Sequence, residues 1–328
     1  MDSTQVDWKT LERLRRAFLE GMAGAQDYWQ SDRDLASYDA TFAQRIGWKW
    51  DYVLGELQRR GWNPPKEILL DWGCGSGIAS RAFLDHFGVD AVASLALSDR
   101  SSLAVSYASR AAQQKYPDLD FSLGIPSQPG TLLLSHVVTE LTPEQIAELV
   151  KLVETATTTI WVEPGTYEAS LTLIAIRERL RDRFNVVAPC THSAQCGILT
   201  PGNERHWCHH FASPPPGVFT DPDWSRFAHL TGIDLRSLPL SFLVVDRRPV
   251  PVLPPGAVRV IGKPRIYKPY SLLLGCDQNA VRDRRLSKRQ LPEEFRVIKK
   301  GDVDPLLILA CEGDEILSMK PLLPESSE

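Results

Sequence analysis

Three groups of residues in this chain have types and spacings that can do chemistry. The first is Asp71-Trp-Gly-Cys-Gly-Ser-Gly77, an acid followed by glycines at alternate positions. Gly73, Gly75 and Gly77 let the backbone turn sharply and approach a ligand closely, where side chains would block it. The spacing differs from the G-x-G-x-x-G of dinucleotide sites, whose helix N-terminus holds a pyrophosphate. An acid ahead of the loop suits a ligand with an amino-acid moiety and a sulfonium, and no phosphate. A second acid, Asp99, follows about 20 residues after the loop's glycines, where a carboxylate at the end of the next strand accepts both hydroxyls of a ribose. Together they predict an S-adenosylmethionine site at Asp71, Gly73, Gly75, Gly77 and Asp99. Cys74, inside the loop, reads as a small residue tolerated in a tight turn.

The second group is Ser135-His-Val-Val-Thr-Glu140, after a short apolar run at 132–134. This architecture turns such a strand end toward the reacting methyl group. Ser135 therefore joins the cofactor-binding set, and His136 or Glu140 is a candidate proton acceptor. No Asn/Asp-Pro-Pro-aromatic sequence of the amino-group methyltransferases is present, and no Pro-Cys stands at that strand end to attack a pyrimidine. The methyl acceptor stays open.

The third group is Cys190, Cys196 and Cys208, in one loop-rich stretch, with Cys276 farther on after an apolar run. Four thiolates can hold zinc or an iron–sulfur cluster. A zinc site can also use three cysteines and one of His192, His206, His209 or His210. Spacing does not choose between these.

The elements that must position these groups follow from periodicity. Residues 7–60 place Leu11, Leu14, Phe18 and Met22 at helical spacing, which predicts a helical cap over 1–60. Short apolar runs at 68–70, 94–97, 132–134 and 159–162, separated by helical stretches, predict a parallel α/β sheet, a class I Rossmann-like domain over 61–248. Thr142-Pro-Glu-Gln145 is a capping box, and 167–181 reads as the next crossover helix. After Val187 the pattern breaks into a cysteine-bearing insertion, 188–216, too long for a plain loop. A strand pattern returns at 241–245, and Pro249 to Pro255 reads as a linker into a small, basic, β-rich module over 256–328.

Charge is distributed unevenly. Residues 256–300 carry twelve basic residues against four acids, a charge of +8 that leaves −12 for the rest of a chain whose net charge is −4. A basic module on an acidic body suits an anionic partner such as RNA. The 328 residues, 43% hydrophobic and 24% charged, fit a soluble globular protein of two domains. No secretory or transit segment is evident in the acidic N-terminus. No apolar run reaches membrane-spanning length, and the expected location is cytoplasmic.

Taken together, the loop at 71–77, Val162-Glu-Pro-Gly-Thr166, Ala188-Pro-Cys190 with Cys196, Trp207-Cys-His209, and Arg259-Val-Ile-Gly-Lys-Pro-Arg265 with Cys276 resemble a known family. It is the methyltransferase-like proteins of mitochondrial small-ribosomal-subunit assembly and their bacterial relatives. The resemblance covers about 65–300 and departs from the family pattern at Thr191, where a proline is usual, and in a longer gap before Trp207. It implies a [4Fe–4S] cluster on Cys190, Cys196, Cys208 and Cys276, S-adenosylmethionine binding, and association with the small ribosomal subunit or its RNA through 256–300. The expected function is that of an S-adenosylmethionine-dependent methyltransferase-like protein acting on small-subunit ribosomal RNA or its assembly. The alternatives are a non-catalytic assembly factor that binds the same cofactor, and a small-molecule methyltransferase with a structural zinc site.

Overall fold

The computed structural model describes residues 6–19 and 28–322. Met22 and the first five residues lie outside them. Two compact units are built from interleaved stretches of chain: 1–55, 63–163 and 212–238 form the first, and 56–62, 164–211 and 239–328 the second.

The first unit carries the parallel strands β1 (Ile68–Trp72), β2 (Ser94–Ser98), β3 (Phe121–Leu123), β4 (Thr131–Ser135) and β5 (Thr158–Pro164) in the order β3-β2-β1-β4-β5. This is a Rossmann-like α/β sheet. The middle residues of β1, β2, β4 and β5 are buried; parallel strands covered on both faces need continuous apolar runs rather than alternation, which is the pattern in the sequence. The strand order reverses between β1 and β4, where Asp71 pairs with Leu97 on one side and Leu133 on the other. Open α/β sheets bind ligands at the carboxyl ends of strands at such a switch point.

Helices α4 (Ile78–Phe87), α5 (Ser102–Lys115) and α6 (Pro143–Val153) follow β1, β2 and β4. The capping box of α6 forms as its sequence predicts: Gln145 N–H donates to Thr142 Oγ1 at 3.3 Å and Thr142 N–H to Gln145 Oε1 at 2.9 Å. The N-terminal helices α1 (Trp8–Leu19), α2 (Asp32–Tyr38) and α3 (Gln44–Arg59), with a π-helical turn Asp39–Ala43 between the last two, are closed by α8 (Pro222–Thr231). Leu11, Phe42, Trp224 and Phe227 share one apolar cluster, so the cap is completed by a segment about 200 residues away in sequence, a contact that helical periodicity does not disclose.

The second unit contains α7 (Tyr167–Leu180), β6 (Asn185–Ala188) antiparallel to β8 (Leu238–Asp246), and β7 (His210–Ala212) beside β8. It ends in a barrel of β9 (Ala257–Ile266), β10 (Tyr270–Cys276), β11 (Val281–Ser287), β12 (Leu306–Glu312) and β13 (Glu315–Pro321), closed in the order β10-β11-β13-β12-β9. Helix α9 (Pro292–Lys300) joins its third and fourth strands, and the third and fifth meet in parallel at Arg285 and Glu315. A five-stranded Greek-key barrel of this order is an OB-fold. Its core is Val260, Leu273, Leu286, Phe295, Ile298, Leu307 and Ile316. No described helix is long and apolar enough to cross a membrane.

Candidate functional site

In the first unit the loop after β1 turns on three left-handed glycines, Gly73 (φ +67°), Gly75 (+51°) and Gly77 (+78°). Space around Gly75 is empty: a Cβ there would meet nothing within 4 Å, so a side chain would occupy room that a ligand can use. Ser98 O accepts from Gly73 N–H at 2.8 Å and Cys74 N–H at 3.1 Å, tying the loop to β2. Asp99 accepts Gly75 N–H on one oxygen and Ser101 N–H on the other, each at 2.9 Å.

Asp71 is fully buried. One oxygen accepts Ser80 N–H at 3.1 Å, while the other has no partner among the described residues. Burial raises its carboxyl to about 7. An orphaned buried carboxylate oxygen costs free energy until a donor reaches it, and a cationic ligand would both supply the donor and stabilise the charge. The donor chemistry thus fits the amino-acid end of S-adenosylmethionine.

Ser135, at the end of β4, accepts a hydrogen bond from Trp50 Nε1 at 2.9 Å. His136 follows in the left-handed region (φ +56°), a conformation costly for a side-chain-bearing residue. Lys49 Nζ lies 3.4 Å from His136 Nε2. Burial, and then the charge of Arg45, lower the Lys49 ammonium to about 7, while Glu163 opposes them. Burial and Lys49 together push the imidazole well down, so it is held neutral. Glu163, at the end of β5, accepts Val137 N–H and Val138 N–H at 3.0 Å each and Trp161 Nε1 at 2.7 Å, which fixes the loop carrying His136. Glu140 lies 4.0 Å from Arg100, and burial raises its carboxyl to about 7.

The structure therefore gathers Asp71, the three glycines and Asp99 into one hydrogen-bonded loop, and gives His136 and Glu140 different partners. Lys49 and Glu163 were not picked out from the sequence. Each carried a signal: a lysine between Trp48 and Trp50 on a helix, and an acid directly after the apolar run 160–162.

In the second unit Cys190, Cys196, Cys208 and Cys276 line one small cavity of about 30 Å³, together with Arg177, Ser241 and apolar side chains. Each cysteine is brought there by a separate device. Glu56 pairs with Arg60 and Arg259, and these buried arginines hold three carbonyls: Arg60 donates to Val187 O, Pro189 O and Cys190 O, and Arg259 Nε to Pro189 O at 2.9 Å. Arg177 Nε donates to Cys190 Sγ at 3.2 Å. Gly197, next to Cys196, presses on β11, where a Cβ would stand 2.9 Å from Val281 N. Gly262 (φ +66°) admits the ring of His209, next to Cys208, which a Cβ would approach to 2.7 Å. Cys276 closes β10.

Burial raises the thiols of Cys196, to about 11, and of Cys208 and Cys276, with further upward pressure from Cys190. Three buried thiols that resist ionisation beside a fourth cysteine are what a soft metal centre would relieve. The donor set contains sulfur and no carboxylate, which suits iron–sulfur or zinc chemistry. Among the described residues, no group of three or more His, Cys, Asp or Glu side chains stands ready to hold a metal ion.

Over residues 61–302 the sequence matches the family described as mitochondrial small ribosomal subunit Rsm22. The chain belongs to that family. No curated protein matches this Rsm22-family chain. Among solved structures it is similar to the plantazolicin methyltransferase BpumL in complex with S-adenosylhomocysteine, at 14% identity over 73% of this chain and 100% of that one, with a TM-score of 0.36. It is similar to M. capricolum TrmK in complex with the same product, at 6% identity over 61% and 69%, TM-score 0.34. A third is a methyltransferase dependent on S-adenosylmethionine from Aquifex aeolicus, at 12% identity over 42% and 82%, TM-score 0.32. All three are distant.

Proposed function

We propose that this Rsm22-family protein binds S-adenosylmethionine in the loop after β1 and methylates small-subunit ribosomal RNA, with a [4Fe–4S] cluster on Cys190, Cys196, Cys208 and Cys276. The observation that carries the reading is the glycine loop hydrogen-bonded to Asp99 beside Asp71 at the switch point of the sheet. Bound S-adenosylmethionine supplies an electrophilic methyl group. Asp99 would hold the ribose, the free oxygen of Asp71 would take the ammonium, and Ser135 would border the site. Lys49, neutral for part of the time near pH 7, would take the proton that an acceptor releases, with His136 as its neighbour and Glu163 holding their loop. Glu140, raised by burial, is the other proton acceptor.

In the second unit, the iron–sulfur reading over zinc rests on the four cysteines, with no histidine, among the residues lining the cavity and on the family, although His210 and His192 stand 3.6 and 3.8 Å from Cys208 and Cys276. Such a cluster would fasten the insertion to the barrel. The basic stretch 256–300 would meet the RNA phosphates.

Methyl transfer from labelled cofactor to small-subunit RNA tests the enzyme. Transfer that is lost in Asp99→Ala, with cofactor affinity weakened at least tenfold through the loss of charge-assisted hydrogen bonds, supports it. Cofactor binding without transfer to any small-subunit RNA would replace it with a non-catalytic assembly factor. Anaerobic purification with iron, sulfide and zinc analysis tests the metal: stoichiometric zinc in colourless protein would remove the cluster.

A further inference from the structure

The hairpin that joins β9 to β10 carries two tyrosines outside any core. Tyr267 and Tyr270 stack at 4.8 Å between ring centroids and 29° between planes, and Tyr267 is 43% exposed. The turn is rigid, since Tyr267 N–H donates to Tyr270 O at 2.9 Å. Lys288 N–H donates to Pro269 O at 3.0 Å, which binds the end of β11 to the same turn. On the outer face of β10 and β11 the guanidinium of Arg285 lies 4.6 Å from the Tyr270 ring centroid, and the neighbouring Lys268, Lys288 and Arg289 are exposed.

The stacked pair contributes modestly to the turn that holds it. A rigid aromatic platform ringed by cations is what unpaired bases need: every base has a face to stack, and the adjoining backbone carries one negative charge per nucleotide. In barrels of this topology the second and third strands and the loop between the first and second form the face open to an oligonucleotide. Here that face is β10 and β11, and that loop is 267–269. The opposite end of the same strands is closed by the cysteine insertion, where Leu274, Cys276 and Val281 pack with Cys196 and Ile198. At the other end Tyr267 and Lys268 are exposed.

We propose that Tyr267 and Tyr270 form a stacking platform for unpaired bases of RNA, flanked by Lys268, Lys288 and Arg289 for the phosphates, while Arg285 over the Tyr270 ring is paired with Glu315 at 2.6 Å. The barrel therefore recognises single-stranded RNA in preference to duplex, because paired bases cannot present their faces. This inference rests on the reading of the protein as one that acts on ribosomal RNA.

The test uses the full chain and fluorescence anisotropy with a single-stranded oligouridylate of about 12 nucleotides and an RNA duplex of the same length. The single strand should bind more tightly. Tyr267→Ala with Tyr270→Ala should weaken it by about tenfold or more while leaving the salt dependence unchanged, since stacking releases no counterions. Tyr267→Phe with Tyr270→Phe keeps both rings and should bind as the parent does, and denaturant unfolding of the alanine pair, expected to match the parent, separates stacking from any loss of folding. Lys268→Gln with Lys288→Gln and Arg289→Gln should instead flatten the salt dependence. Equal binding by the alanine and phenylalanine pairs, or duplex bound as tightly as the single strand, overturns the platform. If the glutamine variant is impaired and the alanine pair is not, RNA binding stands and the platform alone falls. If the chain binds neither RNA, both readings fall.

Discussion

Asp71 has a buried carboxyl raised to about 7, one satisfied oxygen and one orphan. A cationic ligand selects the ionised form, so binding below pH 7 must expel a proton. Affinity for S-adenosylmethionine is therefore expected to rise with pH from about 5.5, by up to tenfold per unit, and to level off above 7. Calorimetry in buffers of different ionisation heat reads the proton directly. The same raised value means that the ligand-free fold binds more protons than the unfolded chain between the ordinary carboxylate range and 7, so the contribution of Asp71 to stability falls as pH rises through that window. Lys49 gives a second expectation at this scale. Lys49→Met removes the base and keeps most of the volume, and should lower methyl transfer by about a hundredfold with little change in cofactor affinity; equal loss of binding would make Lys49 structural. The loop acids were legible because glycine spacing and an acid at each strand end are local patterns. Lys49 was not, since its role depends on packing beside His136, whose left-handed backbone no local pattern announces.

Among elements, β9 shows how charge in a sequence misleads. Arg259 counts toward the +8 of the basic stretch, yet it is buried with Glu56 and holds Pro189 O, and Arg284 is buried against Asp277. Two of the twelve cations are therefore internal fasteners, and the RNA-facing charge is smaller than the count. Arg259→Met strands the Glu56 carboxylate with one partner fewer. It should cost about 3–5 kcal/mol, read by denaturant unfolding, and release the Pro189-Cys190 turn. A variant with unchanged stability and metal content would refute the clamp. Strands β1, β2, β4 and β5 were legible as apolar runs, and α6 by its capping box. The edge strand β3 was not, because its three residues, Phe121, Ser122 and Leu123, leave Leu123 67% exposed and carry no buried run.

At the scale of the whole molecule, the cysteine cavity joins the insertion to the OB barrel inside one compact unit. The apolar cluster of Ile174, Cys196, Ile198, Ile261, Cys276 and Val281 already docks the two, so a metal would reinforce a contact that exists without it. Cys276→Ser is expected to lose the metal and to increase proteolysis within 191–207 and near Pro254, while the Rossmann-like unit stays protected; metal retained in full would point to a local site on the insertion with a histidine. That four cysteines converge was legible only through the family pattern, because Gly197 and Gly262 act through close approaches to residues far along the chain. The interleaving also sets an order of events during synthesis. Cys276 leaves the ribosome 68 residues after Cys208, a delay of roughly 3–14 seconds at ordinary translation rates. Through that interval the nascent chain displays three thiols without the fourth, a trap for any thiophilic ion that arrives early, and a four-thiolate centre could be installed only once the barrel has emerged.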